Sequence, residues 1–138
     1  VKIAFGTDEH TALTDVVRAD LEARGHVVVA VDDGDWVSVG QAVGEAVASG
    51  GCETGVLFCW TGTGASIAAN KVPGVRAALC TDAPTAAGAR TWNDANVLVM
   101  GLRLISPEVA KEMLDAWFAT AVDPNEVEVI AGLEAPPG

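Results

Sequence analysis

The chain has 138 residues, half of them apolar, and a formal net charge of −11. That length suits one domain with a proper core and is short for two, and so large an apolar share argues against disorder. The charge excludes nucleic acid as a partner: phosphate backbones are gripped by clustered Lys and Arg, and the eight basic residues here are scattered.

No apolar run approaches the roughly 20 residues of a membrane helix. The opening VKIAFG leads straight into a turn and lacks the look of a leader, so no membrane partner and a cytoplasmic location are expected. Three cysteines, Cys52, Cys59 and Cys80, form no CxxC pair, which disfavours a disulfide framework or a zinc site. Cys52 and Cys80 read as small packing residues. His10 and His26 are too few to build a metal centre.

In chain order, KIAF (2–5) reads as a short buried strand ending at Gly6. Residues 11–25 carry helical spacing through Leu13, Val16, Val17 and Leu21, with Gly25 as the stop. HVVVAV (26–31) is a β-branched strand, and the acidic DDGD (32–35) follows. A helix spans about 37–49 before Gly50-Gly51. TGVLFC (54–59) is the third strand, and GASIAANK opens a short helix. VRAALC (75–80) is the fourth strand, 83–92 a helix and ANVLVMG (95–101) the fifth strand. Residues 106–121 are the clearest helix: Ser106 caps it, Pro107 occupies the first turn and Glu108 meets the positive end of the dipole. The tail DPNEVEVIAGLE reads as one more helix before APPG frays.

Five apolar strands alternating with helices predict a single domain over 1–138 of the α/β class, a Rossmann-like three-layer αβα sandwich around a five-stranded parallel sheet covered on both faces. Right-handed crossovers place every strand's carboxyl end on one edge, where ligands bind at the switch point. GTDEH, DDGDW, CWTGTG and CTDAPT are the loops there.

Within CWTGTG, Gly62 and Gly64 invite three readings. A phosphate-binding P-loop needs Lys-Ser/Thr after the second glycine, and Ala65-Ser66 stands there instead. A dinucleotide fingerprint needs GxGxxG after the first strand, and this loop follows the third. An anion hole fits better: glycines aim successive N–H groups at one point, and the following helix adds its positive end. Such a hole can hold an oxyanion formed during reaction. Cys59 stands beside it at the strand end, where a helix N-terminus favours the thiolate and a base could act next to a carbonyl. The same residues also fit a buried strand-end cysteine above an ordinary tight turn.

CxTGxGxSIAANKxPGxRAALCxD and NDANVLxMGxRxI, spanning residues 54–105, closely resemble the sugar-phosphate isomerase family of ribose-5-phosphate isomerase B and the two unlike subunits of galactose-6-phosphate isomerase. KIAFGTD at the start supports the likeness. The resemblance implies a dimer with active sites at the subunit interface and aldose–ketose interconversion through an enediol, with no metal or organic cofactor. By this resemblance Cys59 is the proton-shuttling base and, with Thr61, a candidate catalytic residue. Gly62, Thr63 and Gly64 complete the loop that stabilises the enediolate. Asp8 matches the acidic residue after the first strand, and Asn93 and Asp94 match an ND pair.

The departures are equally informative. Trp92 stands where the family has a ring-opening histidine. Glu9 follows Asp8 where the family has histidine, and His10 comes one place late; with Trp92 these complete the candidate substrate-binding set. The family's DYP reads Asp35-Trp36-Val37. Its C-terminal arginines, which grip phosphate across the dimer, are absent from AVDPNEVEV, which brings Glu126 and Glu128. A doubly charged phosphate is therefore poorly served, whereas Trp36, Trp60 and Trp92, beyond ordinary packing, suit stacking on an uncharged ring. Arg103 is the remaining candidate cation. Three functions are consistent with this: an isomerase of a non-phosphorylated or atypical sugar, acting as a homodimer or tetramer; one subunit of a hetero-oligomeric sugar-phosphate isomerase; or a binding module that kept the fold without the chemistry.

Overall fold

The structure, a computed structural model, describes residues 1–31 and 34–134. The acidic pair Asp32-Asp33 and the terminal APPG lie outside the described residues. Five strands, β1 (Lys2–Thr7), β2 (Val27–Ala30), β3 (Thr54–Cys59), β4 (Ala77–Leu79) and β5 (Val97–Gly101), pair in the order β2-β1-β3-β5-β4, all parallel. The expected Rossmann-like α/β sandwich is the fold observed.

Strand alternation sorts the core into two layers. Ile3 and Phe5 of β1, Val56 and Phe58 of β3, and Leu98 and Met100 of β5 point to one face. There α1 (Ala12–Ala23), α4 (Ala83–Asn93) and α5 (Pro107–Ala119) supply Leu13, Val17, Ala86, Met113, Leu114 and Trp117. The rings of Phe5 and Phe58 tilt together, with centroids 5.5 Å apart. On the other face Ala4, Leu57, Cys59, Val97 and Val99 meet α2 (Trp36–Ala48) and α3 (Thr63–Asn70) through Val39, Val43, Ala65 and Ala69.

The helices start where side-chain oxygens accept first-turn amides. Asp35 accepts from Ser38, Asp82 from Thr85 and Ser106 from Val109, while Thr11 and Thr14 form a reciprocal cap. The tail after α5 is broken into shorter pieces than a single helix: a 3-10 turn (Pro124–Glu126), α6 (Val127–Ala131) and a second 3-10 turn (Gly132–Glu134).

One expectation needs correction. β2 is not covered on both faces. It is an edge strand, and while Val28 packs on the α1/α5 layer, Val27 and Val29 are 57% and 40% exposed. A β-branched run marks a strand, yet sheet position decides whether both its faces are covered.

α2 and α3 pack closely because glycine lets them. A Cβ on Gly40 would stand 2.8 Å from the Ala65 carbonyl oxygen and 2.8 Å from the Ala68 Cβ. Gly40→Ala is therefore expected to lower the unfolding free energy by about 1–3 kcal/mol through overpacking, read as a lower urea midpoint at unchanged slope. A second prediction concerns Cys80, wholly buried under α4. Burial, with the Asp82 charge second, pushes its thiol up from 9.0 to about 11. The unfolded chain then loses this proton before the folded one does, so stability falls as pH rises through that interval. The urea midpoint is expected to decline over this window more steeply in the wild type than in Cys80→Ala.

Candidate active site

β1 and β3 are neighbours whose chains leave the sheet on opposite faces, β1 toward α1 and β3 toward α3. A crevice opens where they part, at the carboxyl end of the sheet. Asp8 and Cys59, at the ends of these two strands, are among the residues that line it.

Cys59 is the last residue of β3, in register with Gly101 of β5. Pairing outlasts the strand: the Leu102 amide donates to the Cys59 carbonyl (2.9 Å) and the Arg103 amide to that of Trp60 (3.0 Å). The chain then turns at Gly62, whose φ of +80° belongs to the left-handed region. A Cβ on Gly101 would lie 2.7 Å from the Thr61 carbonyl oxygen, and one on Gly62 would lie 2.5 Å from Leu79 Cδ1. Two glycines thus let the loop rest directly on the end of β5.

Gly62 is the N-cap of α3 and brings no side-chain acceptor. The first amides of a helix lack intrahelical partners, so the turn from Thr63 onward presents N–H groups and the positive helix end to the cleft. The Thr61 and Thr63 hydroxyls lie 2.8 Å apart and share one hydrogen bond, which leaves the pair one further O–H to donate.

The cleft holds about 310 Å³. Asp8, Cys59, Thr61, Thr63 and Gly64 line it, with Trp36 and Trp60 as aromatic walls. Trp36 lies on Gly64, where a Cβ would come within 2.8 Å of its ring. Cys59 is only 6% exposed, packs in the α2/α3 layer of the core and is among the residues that line the cleft. Asp8 is the middle residue of a tight turn in which the Thr7 hydroxyl donates to the Glu9 carbonyl (2.6 Å) and accepts from the Glu9 amide (3.3 Å). Its Oδ1 is shut off from solvent and has no hydrogen-bond partner.

The sequence-derived set therefore divides. Asp8, Cys59, Thr61, Gly62, Thr63 and Gly64 come together. Glu9 and His10 continue the same loop on its exposed side. Trp92 and Asn93 do not reach this cleft within the chain; they line a separate groove of about 630 Å³ between α4 and the β4 edge, with Trp92 61% exposed and seated on Gly88. Asp94 lies apart again. It ends α4 in a left-handed conformation (φ 45°) and pairs with Arg90 (3.1 Å) and Arg76 (3.5 Å), and its carbonyl accepts from Arg76 Nε (2.8 Å). Arg76 also reaches Glu134 at 3.1 Å. The four-residue spacing of Arg90 and Asp94 was the signal of this helix-end anchor. Arg103 touches the site through its backbone amide.

Among the described residues no group of three or more His, Cys, Asp or Glu is placed to hold a metal ion, and no helix is long and apolar enough to cross a membrane.

Comparison with known proteins bears directly on this arrangement. A family model described as Ribose/Galactose Isomerase matches residues 3–130. Ribose-5-phosphate isomerase B of Escherichia coli K12 is 39% identical over 146 aligned positions that cover 96% of each chain. The galactose-6-phosphate isomerase subunit LacB of Clostridium acetobutylicum is 36% identical, over 83% of this chain and 70% of its own. The solved ribose-5-phosphate isomerase B of Clostridium thermocellum superimposes with a TM-score of 0.92 at 35% identity, covering 97% of this chain and 95% of that one. With the match running almost end to end in both sequence and fold, the chain belongs to the ribose/galactose isomerase family.

Proposed function

We propose that this chain is an aldose–ketose isomerase in which Cys59 moves a proton between adjacent carbons while the Thr61–Gly64 loop holds the enediolate, on a non-phosphorylated or otherwise atypical sugar. The observation that carries this reading is that Cys59 and the uncapped first turn of α3 line one cleft. Family membership supports the reaction type, since the relatives compared above are named as sugar-phosphate isomerases or a subunit of one.

The chemistry follows from the residue types. A thiolate removes the proton next to the carbonyl, and the charge that appears on oxygen is met by backbone N–H groups and one threonine O–H, fixed in place before the reaction starts. The same thiol returns the proton to the neighbouring carbon. No cofactor is required by this route.

The substrate part of the proposal rests on the walls. No Lys or Arg lines the cleft among the described residues, whereas two indoles and a carboxylate do. Indole faces suit the C–H face of a sugar, and the acidic Asp8 in the lining disfavours a phosphate. Trp92 and Asn93 would approach a Cys59 cleft only from a neighbouring copy, and the exposed Trp60, Ile67 and Trp92 offer apolar surface for one. A cytoplasmic homodimer, with pairing into tetramers open to it, is the assembly proposed.

A second reading is favoured by the subunit status in the LacB relative's name: this chain would be one half of a hetero-oligomer whose partner supplies cations and a ring-opening histidine. Light scattering separates the two. A purified homodimer that turns over sugar alone rules out the second reading; a chain active only with a similar partner chain rules out the first.

For the reaction itself, a panel of four- to six-carbon aldoses and their phosphates in deuterated water is expected to give ketose labelled at the carbon next to the carbonyl. Cys59→Ala is expected to lower turnover by about 10²–10⁴-fold, the usual share of a general base, with the fold intact by circular dichroism. Free sugars are expected to outpace ribose 5-phosphate. Undiminished turnover in Cys59→Ala would sink the thiol base.

A further inference from the structure

An oxyanion hole works through donors that are fixed before charge appears. The amides in the first turn of α3 are held by the helix backbone. A threonine hydroxyl is not held in this way, because its hydrogen rotates to suit whatever acceptor is near. The loop after β3 carries two such hydroxyls, and Thr61 and Thr63 both line the cleft that Cys59 lines. They lie 2.8 Å apart, and among the described residues neither hydroxyl has a second partner.

Two hydroxyls that share one bond form a short chain: one donates to its neighbour, and the neighbour donates onward. The hydroxyl that accepts is also the stronger donor, because successive hydrogen bonds polarise one another. The local chain tells the two ends apart. Thr61 stands two residues past Cys59, on backbone that stays bonded to the end of β5 through the Trp60 carbonyl, and two residues is the spacing at which side chains of an extended chain share a side. Thr63 comes after the left-handed turn at Gly62 and opens α3. A helical threonine often bonds a carbonyl one turn back; that of Thr63 bonds Thr61 instead. From this coupled pair, and resting on the isomerase reading above, we infer that Thr63 is a positioning residue: its hydroxyl donates to that of Thr61 and so turns the Thr61 O–H toward the substrate oxygen on which charge develops.

Such a role has a distinct signature. Without the Thr63 hydroxyl, the Thr61 O–H is free to turn away and give its hydrogen to water. Substrate binding precedes the charge and changes little. The step in which a proton leaves carbon and charge settles on oxygen is slowed. The effect exists only while Thr61 has a hydroxyl to turn.

The test is a double-mutant cycle. Ketose formation from D-erythrose, D-ribose and D-ribose 5-phosphate is measured for wild type, Thr61→Val, Thr63→Val, Thr63→Ser and the doubly substituted Thr61→Val, Thr63→Val chain. Valine keeps the branched shape and removes the hydroxyl. Thr61→Val is expected to lower kcat about 100-fold, the loss typical of one oxyanion donor. Thr63→Val is expected to lower kcat about 10-fold, the weight of one neutral hydrogen bond. Its KM is expected within about 2-fold of wild type, since binding common to ground and transition states is untouched. Thr63→Ser is expected to recover most of the kcat. In the Thr61→Val background, Thr63→Val is expected to cost nothing further, the non-additivity of two groups that act as one. If Thr63→Val loses its native thermal transition, Thr63→Ala carries the same cycle. An equal cost of Thr63→Val in both backgrounds, a loss larger than that of Thr61→Val, a loss confined to KM, a serine that recovers nothing, or no loss at all overturns the inference and leaves the isomerase reading standing. No ketose from the wild type on all three sugars overturns both.

Discussion

The site depends on one close contact: the backbone of Thr61 and Gly62 lying against Gly101. A Cβ at 101 would stand 2.7 Å from the Thr61 carbonyl oxygen, and one at 62 would stand 3.2 Å from the Gly101 amide nitrogen on a left-handed backbone (φ +80°) that strains an L side chain. Because both are glycine, the ladder between β3 and β5 continues for two more hydrogen bonds, to the carbonyls of Cys59 and Trp60. The thiol and the start of α3 are therefore fixed to the same edge of the sheet. An oxyanion hole gains from such fixity, since donors already in position need not reorganise as charge develops.

A second layer of contacts sets where α3 points. Gly40 brings α2 against the backbone of Ala65, and Trp36, in the first turn of α2, covers Gly64 in the first turn of α3. The N-termini of the two helices thus converge on the cleft. Small residues stand where the backbones touch, and the Trp36 ring lies directly against Gly64. Core packing and site geometry are here the same set of contacts.

Much of this could be read from the sequence. Alternation, strand length and cap residues placed all five strands and the main helices, because those signals are local. Cys59 and the glycine loop were legible for the same reason: a strand end and a helix start are adjacent in the chain. What a motif leaves open is spatial. Trp92, Asn93 and Asp94 are consecutive, yet α4 delivers Trp92 and Asn93 to an outer groove and turns Asp94 inward to hold Arg76 and Arg90. The exposure of β2 depends on which strand ends up at the edge, which no residue within β2 states. The isolation of Asp8 Oδ1 is a property of everything that does not reach it, and so has no counterpart in a motif.

Charge closes the argument about recognition. Arg18 and Arg24 are engaged by Glu22, Asp20 and Asp115, and Arg76 and Arg90 by Asp94 and Glu134. These four arginines thus serve the chain's own acids, and none of them lines the cleft. An anion entering the cleft meets an excess of negative charge over the whole molecule and the Asp8 carboxylate at close range. The amides and the threonine O–H can balance a charge that appears on one oxygen during reaction, where the site is built for it. They are poorly placed to balance a permanent double charge carried on the far end of a substrate. Under the isomerase reading proposed above, preference for an enediolate over a phosphate would follow from one arrangement, in which the cleft's positive potential comes from the first turn of α3 and no Lys or Arg lines it among the described residues.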